Sequence, residues 1–345
     1  MRRIAEENPL QRFAKEHVEY FGEPPQQGLV VYEDESESVI SENDSPDLDF
    51  RFSVNPYRGC VHGCAYCYAR PSHEYWRFGV GSDFERRIVV KPRAPELLRK
   101  SFEKRSWQGE LVVFSGNTDC YQPLELEWTL TRRCLEVCAE YRNPVGIITK
   151  SALVERDLDV LMPLSREAEL SVAISIPFWD ETVARALEPY APTPERRVRV
   201  VRRLAEAGID VTVLVSPVIP GLSDRDIPRV LEAVAAAGAR RASFTMLRLP
   251  GSVREVFAAR LERHLPLAKE KILARTREVR GGELSDARFF SRMSGQGTYA
   301  ESIHTLFEQT ARRLGLNCGE RAASSAAEST FRRPTDAGGQ LRLFG

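Results

Sequence analysis

Three cysteines within eight residues constrain this chain more than any other feature. Cys60, Cys64 and Cys67 lie in the stretch Asn55-Pro-Tyr-Arg-Gly-Cys-Val-His-Gly-Cys-Ala-Tyr-Cys-Tyr-Ala-Arg70, a glycine-interrupted loop with the spacing C-x3-C-x2-C. Thiolates gathered this closely can converge on one small inorganic object, and thiolates are the ligands that iron–sulfur clusters take. Three ligands leave one iron of a four-iron four-sulfur cluster open unless a distant fourth residue arrives. An open iron can bind a substrate or a cofactor. A closed zinc site would need a fourth ligand such as His62 or His73, and structural zinc sites usually join two short cysteine knuckles. No second Cys-x2-Cys pair occurs in the sequence. A disulfide framework does not suit a chain of 345 residues with seven cysteines.

The composition is that of an ordinary globular protein, with 42% hydrophobic and 28% charged residues. No run of 18 apolar residues is present. The opening Met-Arg-Arg-Ile-Ala-Glu-Glu has no apolar leader core, so a cytoplasmic location without a membrane partner is expected. The 49 basic and 49 acidic residues cancel, so net charge leaves no electrostatic footprint for nucleic acid, although a local basic groove stays open. Residues 33–49 carry acids without Lys or Arg and read as a solvated arm.

From Phe52 the pattern alternates between short apolar runs and amphipathic segments, which predicts a parallel sheet with helices outside it. Strands are expected over 51–55, 110–115, 145–149, 170–176, 210–216 and 242–247. Helices are expected over 95–105, 125–141, 154–166, 180–207 with a break at 189–194, 226–237, 252–280 and 299–314. Six β-α units predict an α/β fold with an incomplete (β/α)6 TIM-like barrel over 51–280. A partly disordered N-terminal arm (1–50), a capping helical extension (281–320) and a flexible tail (321–345) complete the expected organisation. The first strand would end directly at the cysteine loop, on the side where barrels of this kind place their chemistry.

The cysteine spacing, with Tyr66 just before the third cysteine, resembles the signature of the radical S-adenosylmethionine superfamily. Asp83-Phe84, Thr118-Asp119-Cys-Tyr-Gln-Pro123 and Thr149-Lys-Ser151 sharpen that resemblance towards the branch related to spore photoproduct lyase. It runs from about residue 40 to 317 and implies the same open barrel. It implies that Cys60, Cys64 and Cys67 hold a [4Fe-4S] cluster whose open iron takes S-adenosylmethionine. Reductive cleavage then gives a 5′-deoxyadenosyl radical that abstracts hydrogen from a substrate, with flavodoxin or ferredoxin as the kind of electron donor required.

The resemblance places Tyr66 against the adenine and Ser115, Thr118 and Asp119 at the amino-acid end of the cofactor. Lys150 would pair with the cofactor carboxylate, with Ser151 a weaker candidate beside it, and Ser175 would reach the ribose hydroxyls. Ile219 and Gly221 match an adenine-contacting G-x-I-x-G-x-x-E pattern in which Pro217 and Asp224 depart from the rule. Cys120, after the second strand, is a candidate redox participant, although the hydrogen-donor cysteine of the photoproduct lyases falls nearer Gly116 in register. A DNA-repair lyase is therefore one substrate reading. A non-catalytic zinc or redox-sensing module is the alternative of a different class. Cys134 and Cys138 share a helical face and read as core, and Cys318 reads as a bystander.

Overall fold

The computed structural model describes residues 28–318 and 329–334. Most of the expected N-terminal arm, 1–27, lies outside the described residues. The rest of that arm forms two strands, β1 (Val30–Glu33) and β2 (Ile40–Glu42). They are followed by β3 (Phe52–Val54), β4 (Tyr57–Arg58), α1 (Ser82–Arg86), β5 (Arg87–Val90), α2 (Ala94–Glu103) and β6 (Val112–Phe114). Next come α3 (Glu125–Trp128), α4 (Leu130–Glu140), β7 (Val145–Thr149), α5 (Leu158–Glu167), β8 (Leu170–Ser175), α6 (Glu181–Leu187) and α7 (Pro194–Glu206). The order closes with β9 (Val211–Val218), α8 (Ile227–Ala236), β10 (Arg241–Met246), α9 (Val253–His264), α10 (Pro266–Glu278), α11 (Ser291–Ser294) and α12 (Thr298–Arg313).

The larger sheet runs β10-β9-β8-β7-β6-β3-β2. From β3 to β10 every joint is parallel, and β2 adds to the β3 edge antiparallel. Parallel strands covered on both faces read as nearly continuous apolar runs, and Val112, Val113 and Phe114 of β6 are all buried. The strand order never reverses, unlike that of a doubly wound sheet. Consequently the loops that leave β3, β6, β7, β8, β9 and β10 follow one another along one rim.

Two features depart from the expected order. The cysteine loop does not follow the first strand directly, because β4 intervenes and pairs with β5 in a small sheet of order β1-β5-β4. The helix expected over 125–141 breaks at Thr129, whose φ of 49° cannot continue an α-helix. Glu125 then serves the second piece: its carboxylate accepts from the amides of Thr131 (2.9 Å) and Arg132 (3.1 Å) and from the Tyr57 hydroxyl. An acid at a helix N-terminus satisfies otherwise orphaned donors. Through it the start of α4 is fastened to the strand that leads into the cysteine loop.

The C-terminal extension is not peripheral to the core. Ala300, Ile303, Phe307 and Ala311 of α12 join the main apolar cluster, as do Cys134 and Cys138 of α4. Phe331, in the stretch expected to be a flexible tail, is also buried there, with its ring 5.9 Å from Phe102 and 6.1 Å from Tyr141. Arg332 N donates to Tyr141 O at 2.9 Å and holds the segment in place. Among the described residues no helix is long and apolar enough to cross a membrane.

Phe331→Ala is expected to cost about 2–4 kcal/mol of unfolding free energy, as loss of a buried aromatic does. Urea titration measures it, and an unchanged midpoint would mean that this segment does not dock.

Candidate functional site

The cysteine loop is held by backbone bonds before any metal is considered. Cys60 N donates to Phe84 O at 2.9 Å, Ala65 N to Leu187 O at 2.9 Å and Cys67 N to Cys64 O at 3.2 Å. Gln122 grips the loop from the β6 side: its Oε1 accepts from Val61 N and its Nε2 donates to Gly59 O, both at 3.0 Å. Gly59 has a φ of 76°, and a Cβ there would lie 2.8 Å from the His73 ring and 2.9 Å from Phe84 O. Only glycine suits that position.

Arg70, fully buried, closes the loop from the other end. Its guanidinium donates to Cys64 O (2.9 Å), Val80 O (2.8 Å), Gly81 O (2.9 Å) and Glu85 Oε1 (2.5 Å). A planar fork of donors suits such a task, where a lysine would supply a single point charge.

Cys67 joins the surroundings of the other two cysteines. Cys64 lies in an apolar cluster with Tyr66, Phe178, Ile219 and Leu247, Cys60 lies in a second one with Ala69 and Phe84, and Cys67 packs against both. Burial pushes all three thiols up, Cys64 to about 12, and each of Cys60 and Cys64 is raised further by its thiolate neighbours. A buried thiol set of this kind becomes a thiolate set only against a compensating cation, which is the chemistry of an iron–sulfur ligand set. Among the described residues no three His, Cys, Asp or Glu side chains gather on a single metal ion. His62 and His73 are both buried. His73 Nε2 lies 2.8 Å from Arg87 O, and burial lowers its pKa to about 4.

Beside Cys64 lies a group of residues that local sequence patterns do not reveal as a unit. Glu188, fully buried at the end of α6, takes the Tyr66 hydroxyl on one carboxylate oxygen and the Arg197 guanidinium on the other. Lys150 Nζ approaches the same carboxylate at 3.9 Å and stands 5.8 Å from the centre of the Tyr66 ring. Burial opposes the Lys150 charge, but Cys64 and Glu188 outweigh it and raise its pKa. Arg197 also donates to Ser175 O at 3.0 Å, which ties the end of β8 into the group. Tyr66, Lys150, Ser175 and Ile219, each expected at the site, are thus brought together around Cys64. Of the two hydrogen-bond partners of Glu188, Arg197 lies nine positions along the chain but Tyr66 lies 122 away.

Other expected ligands are engaged otherwise. Ser115, at φ 79°, accepts from Cys120 N at 2.8 Å, and the Thr118 hydroxyl donates to Tyr57 O at 2.7 Å. The Ser151 hydroxyl accepts from Leu153 N at 3.2 Å and caps the 3-10 turn Ala152–Asp157. Asp119 binds neighbouring loops together: it accepts from the Thr149 hydroxyl (2.6 Å), Lys150 N (2.8 Å) and Tyr121 N (2.9 Å), with His62 Nδ1 3.3 Å away. The Cys120 thiol is buried in the main core and pushed well up by that burial. Cys318 is exposed.

Comparison with known proteins gives a family to this geometry. A model of the Radical SAM superfamily matches residues 54–234, just over half of the chain. The chain belongs to the radical SAM superfamily. An uncharacterized protein of Mycobacterium tuberculosis is 37% identical over 67% of this chain and 68% of its own length. A radical SAM Nα-GlyT isomerase of Pseudomonas phage M6 is 25% identical over 64% of this chain and 44% of its own. Among solved structures, a spore photoproduct lyase mutant with bound AdoMet and dinucleoside spore photoproduct superposes with a TM-score of 0.57 at 15% identity, over 84% of this chain and 80% of that one. That last likeness is one of fold. Membership in the superfamily implies an enzyme that cleaves S-adenosylmethionine with an iron–sulfur cluster and needs a substrate and a reductant.

The Asp119 carboxyl supplies a pH test of the loop junction. Burial alone would raise its pKa, but His62 and the Lys150 and Thr149 donors hold it at about 2, below the ordinary carboxylate value. A depressed folded-state pKa contributes stability above the unfolded value near 4 and loses it as pH falls through about 2. Asp119→Asn is therefore expected to cost about 2 kcal/mol at neutral pH, with the gap to wild type shrinking from about pH 4 downwards. Chemical denaturation at several pH values reads it, and a gap independent of pH would refute the assignment.

Proposed function

We propose that Cys60, Cys64 and Cys67 are the three cluster ligands and that S-adenosylmethionine lies between the cluster and the group formed by Tyr66, Lys150, Ser175 and Ile219. The observation that carries this reading is the meeting of three neighbouring cysteines, Cys60 and Cys64 buried and Cys67 partly so, with Lys150, a cation raised by Cys64 and Glu188 beside an aromatic ring. Bound there, the cluster and S-adenosylmethionine supply one electron and a 5′-deoxyadenosyl radical able to take a hydrogen atom from a substrate.

The chain's own residues do the holding and the excluding. The Lys150 ammonium, partly open, can exchange its long contact with Glu188 for the cofactor carboxylate. Tyr66 is held by Glu188 so that its ring presents a fixed face, and Ile219, Phe178 and Leu247 make the surroundings apolar. Asp119 acts on the backbone of Lys150 and not on the cofactor. Cys120, enclosed in the core, has a packing role in this reading. Six parallel strands in unbroken order support a partial (β/α)6 barrel with the site at its rim.

Anaerobically reconstituted protein given dithionite and S-adenosylmethionine should release 5′-deoxyadenosine, and Cys64→Ala should abolish release together with most cluster iron. One zinc per chain without iron or sulfide would instead establish the binding-module alternative. Lys150→Ala should weaken S-adenosylmethionine binding about tenfold or more, the scale of one charge-assisted bond. Equilibrium dialysis with the labelled cofactor measures it, and unchanged affinity would remove Lys150 from the site.

A further inference from the structure

Just beyond β10, at the rim of the sheet, lies a cation that forms no ion pair with a carboxylate among the described residues. Arg248, two residues beyond β10, is half-buried, and among the described residues its one hydrogen-bonding contact is a long one, 3.6 Å to the Met293 sulfur. A thioether is a weak acceptor. Asp47, a carboxylate close enough to favour its charge, is hydrogen-bonded elsewhere: Arg292 binds it through Nε (2.7 Å) and Nη2 (2.5 Å), and Phe290 N adds a third bond at 3.1 Å. Arg292 therefore has an anion and Arg248 has none.

The position of Arg248 gives this imbalance its meaning. Its chain neighbours Leu247 and Leu249 are buried in the apolar cluster that holds Cys64 and Tyr66 and against which Cys67 packs, and Tyr68 directly follows Cys67. Tyr68 is 52% exposed, with its hydroxyl donating to Gly116 O at the end of β6. The segment that carries the cation thus packs beside the cysteine loop, on the side of the sheet where the function proposed above puts the chemistry. Phe289 and Phe290, both exposed, border the same region, and Arg292 lies over the Phe289 ring at 4.6 Å. A half-buried guanidinium without an anion is costly, and its planar fork matches two oxygens of a carboxylate or phosphate.

We propose that Arg248 receives an anionic oxygen group, phosphate or carboxylate, of the substrate, and so selects anionic substrates for this site. The inference rests on the rim being the substrate face, as in the function proposed above. It adds a binding residue from the segment after β10, which contributes neither cluster nor cofactor ligands in that reading.

The test uses the anaerobic holoenzyme with inorganic phosphate, acetate and the thymidine dinucleotide TpT as probes, each titrated calorimetrically against a chloride-matched buffer. At least one probe should bind wild type, bind Arg248→Gln about tenfold more weakly, and recover part of the affinity in Arg248→Lys. A preference for phosphate or TpT assigns a phosphorylated substrate, and a preference for acetate assigns a carboxylate. Equal binding to wild type and Arg248→Gln, or no binding of any probe at up to about 50 mM, where even a very weak site would register, overturns the proposal. Iron content of both variants confirms that they fold. Deoxyadenosine release is measured on the wild type in parallel. Its absence would count against the radical chemistry while leaving the anion result readable.

Discussion

One buried carboxylate organises the chemistry-bearing side of this molecule. Glu188 is cut off from solvent, and burial alone would favour its protonated form; Arg197 and Lys150 reverse that and lower its pKa. Placing two charges in a protein interior is expensive, and removing one partner strands the other, at a cost of about 3–5 kcal/mol. Such a pair is weak evidence of stability. It is better understood as a device for position. With Glu188 fixed by Arg197, the Tyr66 hydroxyl has one place to go, and the end of β8 is tied to the same guanidinium through Ser175 O.

A second buried arginine does the corresponding work for the backbone. Arg70 gathers carbonyls from the cysteine loop and from the turn at Val80 and Gly81, and completes its fork on Glu85. Arg260 stands 3.7 Å from the same Glu85 oxygen. The loop is thereby attached to α1, while Gln122 attaches it to the segment after β6. Three thiols can face one small volume because the chain that carries them is fixed at both ends. The side chains then need little further restraint.

Much of this was legible in the sequence where the determinant is local. The C-x3-C-x2-C spacing lies within one turn-rich loop, and the apolar runs of β6 to β10 are long enough to declare themselves as strands. Lys150 and Ile219 follow strands and needed only their place in the order. The rest depended on distant partners. Glu188 matters because of Tyr66, 122 positions away, and β4, with two residues, is too short to show a period. Thr129 breaks a helical pattern because Glu125 caps the next helix across the turn, an arrangement with no local periodicity. Ser115, Thr118 and Ser151 looked like ligands because hydroxyls at strand ends are suited to binding. In the structure those hydroxyls bond backbone groups, Cys120 N, Tyr57 O and Leu153 N, a demand that no residue type discloses. Phe331 sits in an Ala/Ser-rich stretch whose composition hid a single aromatic anchor.

Lys150 is fastened in two independent ways: its amide nitrogen to Asp119 on the neighbouring loop, its ammonium towards Glu188. The main chain at this position is therefore anchored without help from the side chain. A sequence can exchange the cation for another group while the loop around it keeps its course. Diversification at this single place can retune the electrostatic field beside Cys64 without asking the scaffold to be rebuilt.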